Sequence, residues 1–297
     1  MKRHDLTDEE WERLAPLLPA NPRQGGRWAD HRTVINGVFF RTRTNITWRD
    51  LPPCYGNWKT VYNRHRRWSM DGTWENTLDG LRAGCDADEG QGWTVSVDST
   101  VVRAHQHAAG ARHRPPRLPG KGDGVDHKPV KGREALGRSR GGLSTKVHLV
   151  ADRRCRPITT VISPGQHGDS PYFRRVLERV RIVRRGLGRP RKRPGRVLAD
   201  KAYSSQGNRA YLRRRGIKTV IPIKKDQQAN RLKQGRAGGR PPVFDAEWYK
   251  ERNTAERCVN KLKGYRAVAL RTDKRERIYQ GTIDVVSIRI WLRDPVS

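Results

Sequence analysis

The apolar residues change their spacing once along this chain, and that change demands two kinds of structure. Up to about residue 83 they recur at helical spacing; beyond Trp93 they alternate as in strands, with helical stretches between. The break falls in GCDADEGQGW (Gly84 to Trp93), a Gly- and Asp-rich stretch that reads as a linker. The predicted organisation is a small all-α unit over residues 1–83, a linker over 84–92 and an α/β unit over 93–292.

In the first unit, LTDEEW offers Thr7 as a helix N-cap with Glu10 three residues on, followed by Leu14, Leu17 and Leu18 at helical spacing. RTVINGVFF (32–40) predicts a second helix, WRDLP (48–52) breaks it, and residues 57–81 predict two more. Trp58, Val61, Tyr62 and Trp68 form an inner stripe in this reading, leaving Lys59, Arg64, Arg66 and Arg67 outside. Such a layout fits a helix-turn-helix-like module with a basic helix on DNA. It fits equally a structural helical cap with a charged outer face.

In the second unit, WTVSVDS (93–99) predicts a strand ending on Asp98, and STKVHLVAD (144–152) and RPITTVIS (156–163) complete an antiparallel meander. A helix over 170–183, a strand over 196–203 carrying Asp200 at its end, a helix over 208–216, a strand over 218–223 and a closing helix over 249–265 follow. Basic, Gly- and Pro-rich insertions at 103–142 and 224–242 are expected to order only on a partner. A third basic run, 184–196, leads into the Asp200 strand, and the three together suggest a channel for a phosphate backbone.

Charge says what that partner is. Sixty-three Lys and Arg against thirty Asp and Glu leave a formal charge of +33, which points to nucleic acid, although arginine richness also reflects a GC-rich genome. No apolar run of about 18 residues and no signal or lipidation pattern is present, so no membrane partner and a cytoplasmic location are expected. Cys54, Cys85, Cys155 and Cys258 are scattered without a CxxC pair and read as reduced and structural. His105, His107 and His113 suggest zinc only weakly; their setting favours phosphate-facing side chains. Aromatic residues are 7% of the chain, too few for an RNA-binding surface built on stacking.

If the first and fourth strands of the sheet are neighbours, Asp98 and Asp200 emerge at one edge, and the last helix can bring Glu256 over them. Three carboxylates together raise one another's pKa, yet they suit two hard cations, Mg²⁺ or Mn²⁺, that activate an attacking oxygen and stabilise a leaving one in phosphoryl transfer. A single acid on a basic helix is then explained: Glu256 holds metal while the cations around it hold phosphate.

Tyr249, Arg252, Glu256 and Lys263 follow the spacing Y-(2)-R-(3)-E-(6)-K. With VDST at Asp98, LADKAY at Asp200, and SRGGLSTKVHLVAD (139–152) and SPGQHGDS (163–170), the chain resembles the DDE transposases of the IS4/IS5 superfamily, and the IS5 group within it. LTDEEWERLAPLLP, WRDLP and WKTVYNRHRRW resemble that group's N-terminal region, so the resemblance covers almost the whole chain. It implies an RNase H-like mixed-sheet catalytic core and metal-dependent cleavage and strand transfer on double-stranded DNA, at terminal inverted repeats and at a target, by a DNA-assembled homodimer beside the bacterial nucleoid. Asp98, Asp200 and Glu256 fall on the metal-binding catalytic acids; Arg252 and Lys263 fall on basic positions that contact the DNA end; Tyr249 falls on an aromatic position, for DNA or for helix packing. Lys201 departs from the small residue usual after the second aspartate, which changes the charge near the metals. The alternatives are a catalytically silent DNA-binding relative, against which all three acids stand, and a general nuclease or resolvase, against which the N-terminal helices stand.

Overall fold

A computed structural model describes residues 4–21, 26–85, 92–111 and 134–294. His113 and most of the 84–92 linker lie outside the described residues, as does most of the insertion that begins at 103.

Helix α1 (Asp8–Leu14) starts at the predicted capping box: Thr7 Oγ1 accepts from the Glu10 amide (3.1 Å), and Glu10 Oε2 accepts from the Thr7 amide (3.0 Å). Helix α2 (His31–Thr44) is capped by Asp30 and closed by Asn45 in the left-handed region. Asn57 caps α3 (Trp58–Met70), and Gly72, at φ 82°, turns the chain into α4 (Thr73–Leu81). Val61 and Trp68 are buried as predicted, whereas Trp58 and Tyr62 remain partly exposed. Arg64 corrects the sequence reading: it is buried, not on the outer face. Its guanidinium lies 4.4 Å from the Trp28 ring centre and 5.1 Å from that of Trp68, with Nη1 2.5 Å from His31 Nδ1. The spacing explains it, since Arg64 is three residues after Val61 and four before Trp68, on the core stripe.

The second part begins with β1 (Thr94–Ala104), which runs past Asp98 instead of ending there. A short helix α5 (Gln106–Ala109), capped by His105, follows. Strands β2 (Gly137–Ser139), β3 (Gly142–Ala151) and β4 (Pro157–Pro164) come next. Helix α6 (Tyr172–Glu178), shorter than predicted, then leads to β5 (Arg196–Ala199), α7 (Gln206–Arg214) and β6 (Lys218–Val220). The predicted meander is present: β1 pairs antiparallel with β3, and β3 with β4. On its other side β1 pairs parallel with β5, and β5 with β6. An antiparallel meander continued by parallel strands on the far side of the first strand is the RNase H-like arrangement.

The 224–242 segment corrects another expectation, because it forms α8 (Lys225–Lys233) and a 3₁₀ turn over Gly235–Gly238. No residue of α8 is buried. The expected single helix over 249–265 is two, α9 (Ala246–Lys250) and α10 (Asn253–Lys263), parted at Glu251 and Arg252. Nor does it close the chain. A short helix α11 (Arg266–Ala269), a two-residue strand β7 (Leu270–Arg271) beside β1, and the 18-residue α12 (Glu276–Arg293) follow.

Helix α12 packs against α1, α2, α3 and α4 on one side and β4 on the other, so one apolar core joins the helical layer to the sheet. Gly281 permits a close approach to α3: a Cβ there would lie 2.1 Å from Ser69 Oγ and 3.2 Å from Ser69 Cα. Two polar pairs enter this core, Arg289 with Glu10 (2.5 Å) and Thr282 with Asp273 (2.8 Å). Among the described residues no helix is long and apolar enough to cross a membrane.

Candidate active site

Sheet register brings the two aspartates together. Val97 of β1 lies opposite Ala199 of β5 in the parallel pair, so Asp98 and Asp200, the next residue of each chain segment, stand side by side where β5 ends and β1 runs on. Asp200 leaves β5 as the cap of a 3₁₀ turn, accepting from the Lys201 amide (2.5 Å), and the Lys201 side chain is exposed. Asp98 accepts from the Ser99 amide (2.8 Å).

Helix α10 brings the third acid. Thr254, Ala255, Cys258 and Leu262 form its buried face, and the Thr254 and Ser96 hydroxyls, 2.8 Å apart, share a hydrogen bond that ties its first turn to β1 two residues before Asp98. Arg252, Glu256 and Lys263 lie along the other side at spacings of four and seven residues. Arg252 Nη1 donates to Glu256 Oε1 (2.8 Å), and its Nη2 lies 3.9 Å from Asp98 Oδ2. Glu256 is exposed; Arg252 and Lys263 are half-buried. Tyr249, on α9, is half-buried with its ring 5.3 Å from that of Phe244.

Electrostatics report the same gathering. Burial pushes the Asp98 carboxyl up, the Ser99 amide and Arg252 oppose that, and Glu256 and Asp200 add to it. The Tyr249 phenol is raised first by burial and then by Asp200, Glu256 and Asp98, with Arg252 opposing. Arg252 is held charged: burial disfavours its cation, but Asp98, Tyr249, Glu256 and Asp200 outweigh that. The carboxylates therefore surround a guanidinium, and among the described residues no three acidic, His or Cys groups stand close enough to hold a metal ion as they are. The donor set nonetheless fits a hard divalent cation, being all carboxylate oxygen around a resident positive charge. Arg252 Nε is buried without a hydrogen-bond partner, so the guanidinium is only partly satisfied there.

Sequence reasoning missed a second layer behind β1. Asp169, in the SPGQHGDS segment, accepts from Ser99 Oγ (2.6 Å) and Lys146 Nζ (2.9 Å), and Lys146 also donates to the His167 carbonyl (2.8 Å). Burial works to raise the Asp169 carboxyl, but these bonds and the Lys146 charge leave it below the usual carboxylate range. Tyr203, three residues after Asp200, is buried, and its phenol is pushed up by that burial and by Asp169. The Asp169 bonds join β1 and β3 to the SPGQHGDS segment, and Tyr203 of the Asp200 turn feels the Asp169 charge. The members of this layer lie in four motifs of the sequence, VDST, SRGGLSTKVHLVAD, SPGQHGDS and LADKAY, but nothing local shows that they meet.

Among the other residues singled out, Lys59, Arg66 and Arg67 share the exposed face of α3, and Arg64 does not. The His105 and His107 rings meet edge to face (4.4 Å between ring centres). Cys85, Cys155 and Cys258 are buried cysteines outside any disulfide and Cys54 an exposed one.

Residues 6–78 match a family described as a putative transposase of the IS4/5 family, and residues 89–283 match the transposase DDE domain. A putative transposase for insertion sequence element IS6501 from Brucella ovis is 30% identical over 151 residues, covering 51% of this chain and all of that protein. An uncharacterized protein, y4sN, of Sinorhizobium fredii is 35% identical over 108 residues, covering 36% of this chain and 82% of its own. The pre-cleavage Mos1 transpososome aligns over 94% of this chain and 83% of its own at 10% identity, with a TM-score of 0.23, too low to add to the argument. With the DDE-domain match spanning well over half of its residues and the IS4/5-family match covering its N-terminal helices, the chain belongs to the DDE transposases of the IS4/5 family.

Proposed function

We propose that Asp98, Asp200 and Glu256 are the catalytic acids and hold two divalent ions, Mg²⁺ or Mn²⁺, for strand cleavage at the ends of an insertion sequence and joining of the freed 3′ ends to target DNA. One observation supports this reading: Asp98 within β1 and Asp200 just past β5 each follow a residue of one paired register, and a hydrogen bond between Thr254 and Ser96 ties the helix that carries Glu256 to β1. When bound, such ions supply Lewis acidity at the attacking and leaving oxygens. The chain's own groups do the rest. The Ser99 amide orients Asp98, and the Lys201 amide orients Asp200. Arg252 neutralises the carboxylates of the free protein, and its guanidinium is suited to a phosphate once cations take that duty. Lys263, on the same side of α10, extends the cationic track, and Tyr249 lies at its start.

On this reading the exposed Lys59, Arg66 and Arg67 of α3 contact the phosphates of the inverted repeat, and residues 1–83 serve as the end-recognition module. Two chains assemble on the paired ends, in the bacterial cytoplasm where nucleoid DNA is available. The test is cleavage of a labelled duplex carrying the element's own end, in Mg²⁺ or Mn²⁺ against EDTA, with wild type beside Glu256→Gln. Metal-dependent nicking at the boundary that disappears in Glu256→Gln supports the proposal. Tight binding without cleavage under either metal replaces it with a silent DNA-binding relative.

A further inference from the structure

Between α6 and β5 the chain makes a narrow arm. Ile182 and Arg191 exchange both backbone hydrogen bonds (2.9 Å each), closing a neck around residues 183–190. Ile182 is wholly buried, the Val183 carbonyl accepts from the Gly84 amide (2.9 Å), and the Lys192 carbonyl accepts from Arg215 Nη2 (2.6 Å), so the base is fixed from three sides. The tip reads Gly186-Leu187-Gly188, with Leu187 at 104% relative exposure and Gly188 at φ 130°. Arg184 and Arg189 flank the tip, both exposed, and no acidic residue occurs between Glu178 and Asp200.

An isolated exposed leucine is ordinary on a protein surface. This one is fully projected from an anchored neck, stripped of neighbouring bulk by two glycines and set between arginines. Those are the parts of a minor-groove wedge: a slender chain that enters a groove about 6 Å wide, arginines drawn to its negative potential, and an apolar side chain that parts a base step. A surface that only tracked phosphates needs the cations and has no use for the leucine. We propose that residues 183–190 insert into the minor groove of A·T-rich DNA, with Leu187 wedged at a base step and Arg184 and Arg189 in the groove on either side. The inference rests on the DNA-processing reading above. It adds a bend in the DNA, made at the start of β5, the end of that strand away from Asp200.

The test uses the full chain and a duplex of about 30 base pairs, roughly three helical turns, with a central A·T tract. One set carries 2-aminopurine at successive steps of the tract, and another carries a fluorescence donor and acceptor at its ends. Wild type is expected to brighten 2-aminopurine at one step, to shorten the end-to-end distance, and to be displaced by netropsin. Leu187→Ala, at a site with no packing to lose, should abolish brightening and shortening and weaken A·T-tract binding about tenfold, with an unchanged salt slope. Arg189→Ala should lower that slope by about one. Bending and brightening by Leu187→Ala equal to wild type, or binding indifferent to netropsin, overturns the wedge. Cleavage of the element's end, run alongside, separates this outcome from failure of the broader proposal: a failed wedge leaves metal-dependent cleavage by wild type in place.

Discussion

Replacing Thr254 by valine exchanges one hydroxyl for a methyl at the point where α10 is tied to β1. Thr254 and Ser96 are both buried, and the Thr254 hydroxyl also lies 2.9 Å from the Glu251 carbonyl. Valine removes both contacts and strands the Ser96 hydroxyl away from water, a combined loss of about 2 kcal/mol from a net hydrogen bond and an unsatisfied buried group. Ser96→Ala should cost less, about 1 kcal/mol, because Thr254 keeps its bond to Glu251. The double variant leaves no stranded hydroxyl, so the cycle should show a coupling of about 1 kcal/mol in urea unfolding. Glu256 stands two residues beyond the tie, so end cleavage by Thr254→Val should fall between about 10- and 100-fold, the range expected from a displacement near 1 Å. Additive single effects together with wild-type cleavage in Thr254→Val refute the claim that this bond positions Glu256.

Arg64→Ala is expected to cost about 1–3 kcal/mol through its lost stacking on Trp28 and Trp68, with the salt slope of DNA binding unchanged. Arg66→Ala, on the exposed face, should do the reverse, lowering that slope by about one with stability intact to about 0.5 kcal/mol. Asp98→Asn should abolish cleavage and stabilise the metal-free protein. The folded state raises this carboxyl above its ordinary 3.8, so it binds the proton more tightly than the unfolded chain does, and stability falls as pH rises through 3.8 and the raised value. Asparagine removes that loss, so Tm above the window should rise; an unchanged or lower Tm contradicts the assignment. Gly281→Ala should cost about 1–3 kcal/mol by overpacking, and Ser69→Ala should not restore it, because the Ser69 Cβ stays 2.6 Å from the added methyl.

The aspartate pair was legible because strands announce themselves by alternation, and their parallel neighbourhood then dictates a shared edge. The helix carrying Glu256 was legible by spacing, but its break at Glu251 and Arg252 was not, since nothing there is a strong breaker and Asp245 starts α9 as a separate helix. Helix α12 went unread because TIDVVSIRIWL is β-branched and apolar on every side, leaving no periodic face, as befits a helix covered all round. Arg64 misled by residue type although its position was right. Asp169 and Lys146 depend on a contact between distant segments, which local pattern does not encode.

Helix α12 follows in the chain every element it touches, and those elements rely on it for their shared core. During synthesis, then, the helical layer and the sheet emerge with their common wall missing and their apolar faces open to chaperones, proteases and one another. A chain stopped ahead of residue 276 is therefore expected to leave these faces uncovered, and rapid limited proteolysis of residues 1–275 beside the full chain checks it.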